Sequence, residues 1–447
     1  MAWRGTILML VVAICLALAA IFTLETDSVI REVGDGGPLL DRSSFPMADF
    51  NRIELDRADG RWVFTRDGDE WWQEEPFRAQ IEGRNLMSVA ERAADVQVVD
   101  RFTPDEELSL ESLNLDFPDA TLTFGWDGGR RRFRFGRRGV AGRGYLQMDD
   151  DPSVLVINQS LHSSVLDSDP TTWREPLLFP GFDIEGLRIR RVVGDQELIL
   201  ERSGRKWVFE SPMSTRTDEE AMGAYVVELA RANAMGVMLD QPESLSAFGL
   251  DEPLAVIEIV EKDDTTRRLL IGDRVGGRTQ DRYAMIEGIP SVIRIEAKVL
   301  AAMLEDPIRL VDPRATGISS SSIKSIVIRS PGQEIELQRD LDRWIARSHE
   351  DAEVPADRVD ALIELLTEIP GAEVAILDEY PRDLEVGTIT LLGYDKRPLD
   401  TVRVLRETEA DGSRWGLENG DSVIRIHPTL LTVPLEDRDW GLRSREP

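Results

Sequence analysis

The stretch with the most evident chemistry is "RRRFRFGRR" at 130–138, where six of nine residues are arginine. Guanidinium forks bind phosphate and carboxylate oxygens two at a time. Arg130, Arg131, Arg132, Arg134, Arg137 and Arg138 therefore suit an anionic headgroup, a polyanionic glycan or an acidic partner. Alternation puts Phe133 and Phe135 on one strand face, with Arg132 and Arg134 on the other. The competing reading is an edge strand whose charge blocks edge-to-edge pairing. Trp72 and Trp126 are further ligand candidates, as flat aromatic faces on which a sugar could stack. The acidic turn "MDDDPS" at 148–153 gathers hard oxygen ligands of the kind calcium takes. It has neither EF-hand spacing nor a terminal bidentate glutamate, and it reads as a solvated hairpin turn.

Nucleophilic and metal chemistry find less support. His162, His349 and His427 are the only histidines, and they fall in different parts of the chain, which speaks against a histidine-based zinc site or triad. GxSxG, HExxH and GxxxxGK[ST] patterns are absent from the sequence. The glycines of "GDRVGG" at 272–277 fit a hairpin loop better than a phosphate cradle. A hydrolase would need two carboxylates about 5–10 Å apart in a cleft, and 83 acidic residues give no spacing that singles out such a pair. Cys15 is the sole cysteine, so no intramolecular disulfide and no cysteine-based metal site can form. No catalytic residue, metal or cofactor is expected.

The elements that would carry these residues recur. Trp71, Trp207 and Trp344 are followed by Leu115, Leu250 and Leu384, and then by Tyr145, Tyr283 and Trp415. The runs "PSVLVI", "PSVIRI" and "DSVIRI" complete the series at Ser153, Ser291 and Ser422. Four landmarks in one order with a period of about 135 residues mark a repeated unit. Each copy opens on an alternating strand, passes through the tryptophan segment and enters an amphipathic helix. Val359, Leu362, Ile363 and Leu366 form the apolar stripe in the third copy. Thr217 and Glu220 have capping-box spacing in the second. A strand pair and two late strands follow, closed by "LHSSVL", "VLAAML" or "LLTVPL". A tryptophan recurring beside a helix is a packing residue, whereas Trp72 and Trp126 do not recur. The expected class is α+β: an N-terminal transmembrane helix followed by three repeated antiparallel-sheet-plus-helix units over 46–180, 181–313 and 318–442.

Residues 6–24 are an uncharged apolar run long enough as a helix to span a hydrocarbon core of about 30 Å. Arg4 before it and Glu25 and Asp27 after it favour an N-terminus in the cytoplasm and the body outside. The expectation is an uncleaved single anchor over 1–24 with a tether over 25–45; a cleaved signal peptide, with Ala17-Leu18-Ala19 near its site, is the alternative. A formal net charge of −30 repels nucleic-acid phosphates over most of the surface, so no nucleic-acid partner is expected.

Several motifs resemble a bacterial family known only as domain-of-unknown-function family 4340. They are the N-terminal apolar helix, Trp71/Pro76 and Trp207/Pro212 before an amphipathic helix, "GLDEP" at 249–253, "LLIGD" at 269–273 and "RYAMIEGIPSVIRI". The third copy departs from the pattern at Glu385-Val386-Gly387, and Leu405 stands where Gly136 and Gly272 stand. The resemblance implies a protein of the bacterial inner membrane with its C-terminal body in the periplasm. It also implies a membrane-protein partner such as an ABC transporter. The functional expectation is a non-catalytic scaffold or accessory protein; the alternative is a glycan- or anionic-lipid-binding module acting through the first unit.

Overall fold

The computed structural model describes residues 38–40, 44–182, 188–377, 381–409, 412–421, 423–427 and 432–442. The apolar run at 6–24 lies outside them, and among the described residues no helix is long and apolar enough to cross a membrane.

In the first unit, β1 (Arg52–Arg57), β2 (Gly60–Asp67), β3 (Glu70–Glu75) and β4 (Ala79–Ile81) lead into α1 (Gly83–Asp95). Then follow β5 (Val98–Phe102), β6 (Ala120–Trp126), β7 (Gly129–Arg138), β8 (Arg143–Met148), β9 (Val154–Asn158) and α2 (Gln159–Leu166). The second unit has β10 (Arg188–Val193), β11 (Gln196–Ser203), β12 (Lys206–Ser211), α3 (Glu219–Arg231) and β13 (Gly236–Asp240). It continues with β14 (Ala255–Val260), β15 (Thr266–Arg274), β16 (Arg282–Ile286), β17 (Ser291–Ile295) and α4 (Ala297–Met303). The third has β18 (Ser325–Ser330), β19 (Gln333–Asp340), β20 (Arg343–Ala346), β21 (Ala352–Val354) and α5 (Ala356–Thr367). Its remaining strands are β22 (Glu373–Ile376), β23 (Glu385–Leu392), β24 (Pro398–Glu409), β25 (Gly412–Glu418) and β26 (Val423–His427).

The three sheets share one topology. Their orders are β4-β3-β2-β1-β6-β7-β8-β9-β5, β12-β11-β10-β14-β15-β16-β17-β13 and β21-β20-β19-β18-β23-β24-β25-β26-β22. Antiparallel pairing runs through each of them. The second copy lacks only the short fourth strand, reduced to a bridge between Val208 and Arg216. The three antiparallel sheets with their few helices make the chain α+β, as its repeats predict. The late "SVIRI" strand lies next to the edge in every copy, with Val292 and Ile295 buried.

Alternation sets which face is buried. In β1, Ile53 and Leu55 point into the core, while Glu54 stays on the open face. Leu86, Val89, Ala90 and Ala93 of α1 cover the inner face, where Phe124, Phe133 and Phe135 are packed. Trp71, Trp207 and Trp344 are all buried, as expected of packing residues. The helix in the second unit starts differently from the expected capping box: Asp218 is the cap and accepts from the Ala221 amide, while Thr217 donates to the Trp207 carbonyl.

Two sequence details gain a physical cause. A Cβ at Gly136 would lie 2.3 Å from the Leu113 carbonyl oxygen, and one at Gly272 would lie 2.2 Å from that of Phe248. The loop that ends in "NLDFP" or "GLDEP" therefore crosses directly over the glycine, and no side chain fits beneath it. Residues 38–40, 44 and 45 belong to the first unit rather than to a tether, because Leu39, Leu40 and Phe45 are buried in its core. Pro38 bridges Gln97 just as Leu177 bridges Asn233 and Arg314 bridges Pro370, so each copy begins with an entry segment laid beside the residue after its helix.

The chain forms two compact units, one ending at Glu175 and one beginning at Pro176. The later one holds two sheets, and they share packing: Val423 of β26 belongs to the second sheet's core and Val374 of β22 packs against it.

Candidate functional site

The arginine strand β7 is not an edge. It pairs with β6 on one side and with β8 on the other, so protection of a free edge is not the reason for its charge. The reason lies in the acidic turn. Arg131 pairs with Asp149 and Arg132 with Asp150 at 2.6 Å, while the Arg132 amide donates to Asp149 at 2.8 Å. Arg138 pairs with Asp167, whose carboxyl is held below the ordinary range chiefly by that hydrogen bond. Arg134 reaches the Gln147 side chain at 3.3 Å, and Arg137 lies 5.8 Å from the centre of the Tyr145 ring. Arg130 is exposed at the hairpin end. Two arginines of the strand thus pair with the "DDD" turn and a third with Asp167, so half of the run has acidic partners within the fold.

Nor do the two tryptophans join the arginines. Trp72 faces outward under the Arg78 guanidinium at 4.6 Å. It is opposite Thr65, which is opposite Arg52, then Gly125, then Arg130, so four strand spacings, about 19 Å, separate Trp72 from Arg130. Trp126 lies on the inner face, 5.7 Å from Phe50, with its ring over Gly128 and Gly129. It packs a hairpin, and the eight residues singled out by the sequence do not form one site.

The histidines are internal. His162 is fully buried against Phe135 and bonds to the Tyr145 carbonyl at 3.0 Å, and burial pushes its pKa down. His427 is buried with neither ring nitrogen partnered among the described residues, and burial lowers its pKa as well. His349 is different. Ser348 Oγ lies 2.8 Å from its Nδ1, and Asp437 Oδ1 lies 3.3 Å from its Nε2. Serine, histidine and aspartate in contact is the composition of an acyl-transfer relay. A relay also needs a cleft at the serine. The nearby groove of about 740 Å³ is lined by Asp437, Arg406 and Trp415 but not by Ser348, whose hydroxyl accepts from the Glu336 amide. The copies explain the contact better. His349 stands where the first two copies have Pro76 and Pro212, and Asp437 stands where they have Pro170 and Pro307 at the start of the closing 3-10 turn. Both positions changed in the third copy, and the new residues face each other. The pair sets the last turn against the β20–β21 loop at contact distance, with no hydrogen bond between His349 Nε2 and Asp437 Oδ1.

The most extensive buried polar cluster joins the second and third sheets. Arg425 on β26 has a fully buried side chain and grips Asp421 through two bonds of 2.7 and 2.8 Å. It also donates to Thr215 Oγ1 at 3.1 Å, the Asp312 carbonyl at 3.2 Å and Asn419 at 3.3 Å. Thr215 in turn donates to Asp421. Asp312 in the connecting segment takes Arg216 at 3.3 Å and Arg314 at 2.9 Å. Burial pushes its carboxyl up, but hydrogen bonds from Arg314 and the charge of Arg216 outweigh this and hold it below the ordinary value. At the matching place on the third unit Glu350, Asp351 and Glu353 are exposed, and Arg347 and Arg343 pair with Asp351 and Glu353. The receiving face is polar there, as in the terminal repeat of an array.

Sequence reasoning missed both the His349–Asp437 contact and the Arg425 joint. The first had a signal, two prolines of the repeat replaced together. The second is visible only as an arginine inside an apolar strand, a pattern shared with Arg294, which instead pairs with Asp281 in its own unit. Among the described residues no group of three or more histidine, cysteine or carboxylate side chains could hold a metal.

Residues 207–385 match the family described as Domain of unknown function (DUF4340), so the family resembled by the motifs is the one to which this stretch belongs. The match begins at the second unit's tryptophan and runs across α3 to the first residue of β23, taking in one side of the Arg425 joint. No curated protein matches the chain.

Proposed function

We propose that this chain, DUF4340 across its second unit and much of its third, is a non-catalytic scaffold of the bacterial inner membrane. Its N-terminal segment anchors it, its three units stand in the periplasm, and they bind a membrane-protein partner, an ABC transporter complex. The observation that carries the reading is the Arg425 joint, where a buried charged network fixes two sheet units as one body. Fixed extended surface is what repeat proteins use to bind partners. The residue types suited to chemistry are engaged internally: three arginines of β7 by aspartates, His162 in the core, and His349 by Ser348. These same pairs weigh against a glycan- or lipid-binding first unit.

Full-length protein isolated from its own membranes in mild detergent should bring a transporter subunit with it in comparable amount. Isolation of the protein alone, at low and physiological salt, would contradict the proposal.

A further inference from the structure

Two surfaces of the later unit differ from their counterparts in the other copies. The first is a pair of turn tips at one end of the third sheet. The β2–β3, β11–β12 and β19–β20 hairpins turn through a left-handed residue, with φ of 59° at Gly68, 65° at Gly204 and 54° at Leu341. Two copies use glycine, for which this conformation carries no steric penalty; the third uses a leucine that is 87% exposed. Among the described residues nothing covers this apolar side chain. The neighbouring β23–β24 turn presents Tyr394, 67% exposed, where the first two copies have Asp127 and Lys262. Lys324 lies between the tips with its ammonium 5.6 Å from the Tyr394 ring. Lys396, on the same turn, has a left-handed φ of 62° and no partner among the described residues.

The second surface is on the second unit. Pro242, Leu245, Met285, Ile289 and Pro290 line an apolar groove of about 530 Å³ between the β16–β17 turn and the loop after β13. The corresponding turns in the other copies read "DDDPS" and "NGDS", so the apolar groove is particular to this unit. Exposed Met238 and Leu239 extend it along β13. Glu243, exposed in the loop that lines the groove, has no partner among the described residues.

We propose that these surfaces meet between two copies of this chain, with Leu341 and Tyr394 of one seated in the groove of the next and Lys396 facing Glu243. The unpaired Lys396 beside the tips and the unpaired Glu243 beside the groove favour this occupant over an anionic membrane, which offers Glu243 no countercharge. The contact is heterologous, so it builds a ring or an open row of scaffolds rather than a two-fold dimer.

The test uses full-length protein with Cys15→Ser, so that added cysteines are the only thiols. Separately purified Leu341→Cys and Met285→Cys proteins are mixed and oxidised. A mixed disulfide dimer should form, and Gly68→Cys, at the same turn of the first unit, should give none with Met285→Cys. By sedimentation, wild-type protein should associate with rising concentration, and Leu341→Gly, which keeps the turn the other copies have, should weaken that at least tenfold. Glu243→Lys or Lys396→Glu alone should weaken it about tenfold, and the double exchange should restore it. Wild-type protein that stays monomeric, or association that Leu341→Gly leaves unchanged, would overturn the proposal.

Discussion

Replacing Arg425 by alanine removes the one side chain that neutralises Asp421 while leaving that carboxylate beneath the joint. Arg425 has no side-chain exposure and Asp421 has 13%, so water reaches the remaining charge poorly. Breaking a buried pair from one side costs about 3–5 kcal/mol, because the desolvation already spent on the survivor is no longer offset. At about 1.4 kcal/mol per tenfold, opening of the joint should become about a hundred to a few thousand times more frequent. Hydrogen exchange of the full-length protein, read on peptides covering 213–217, 311–316 and 423–427, should speed up by that factor. Peptides from β6 and β7 in the first unit should not change. Asp421→Asn together with Arg425→Met removes both charges and should recover most of the loss. An acceleration below about fivefold in Arg425→Ala would refute the idea that this network holds the two sheets together. Arg329–Glu334, an exposed pair with side-chain exposures of 57% and 56%, is the control, and its loss should cost no more than about 0.5 kcal/mol.

Glycine positions give opposite signs. Gly272→Ala and Gly144→Ala should each destabilise by about 2 kcal/mol or more in thermal unfolding, because the new Cβ meets a backbone oxygen in one case and the His162 ring at 2.4 Å in the other. Gly223→Ala, inside α3 with open space around it, should stabilise by about 0.5–1 kcal/mol. Burial lowers the folded-state pKa of His162 and His427, so as pH falls the unfolded chain binds protons first. Their contribution to stability is therefore complete above the unfolded value of about 6.5 and declines below it. His427→Phe should flatten that decline and raise stability at every pH, since both its nitrogens lack partners among the described residues. Asp149→Asn, Asp150→Asn and Asp167→Asn together should free Arg131, Arg132 and Arg138 and make binding to anionic vesicles stronger and more salt-sensitive than that of the unaltered protein.

The repeat was legible because its landmarks are core residues. Trp71, Trp207 and Trp344, or Val292 and Val423, must sit at fixed places for a sheet of this order to close, so their spacing survives when other residues change. Helix stripes were legible for the same reason, as with Val359, Leu362, Ile363 and Leu366. Charge was misleading. An arginine-rich strand looks the same in sequence whether it is an edge or a centre, and only the pairing of β7 with β8 brings the "DDD" turn beside it. Trp126 looked free because its packing partners are Phe50 and two turn glycines rather than a helix. The joint was hidden because Thr215, Asp312 and Arg425 are far apart in the chain and ordinary one by one. Residues that differ between copies proved the most informative: His349 with Asp437, and Leu341 in the place of two glycines.

The scaffold reading rests on a partner being held against surface of fixed geometry, and cross-linking mass spectrometry of intact cells measures this most directly. The account predicts cross-links from the second and third units to a membrane transporter subunit, diminished when Arg425→Ala loosens the joint between them. Cross-links confined to this chain, or a partner whose contacts persist unchanged in Arg425→Ala, would contradict it.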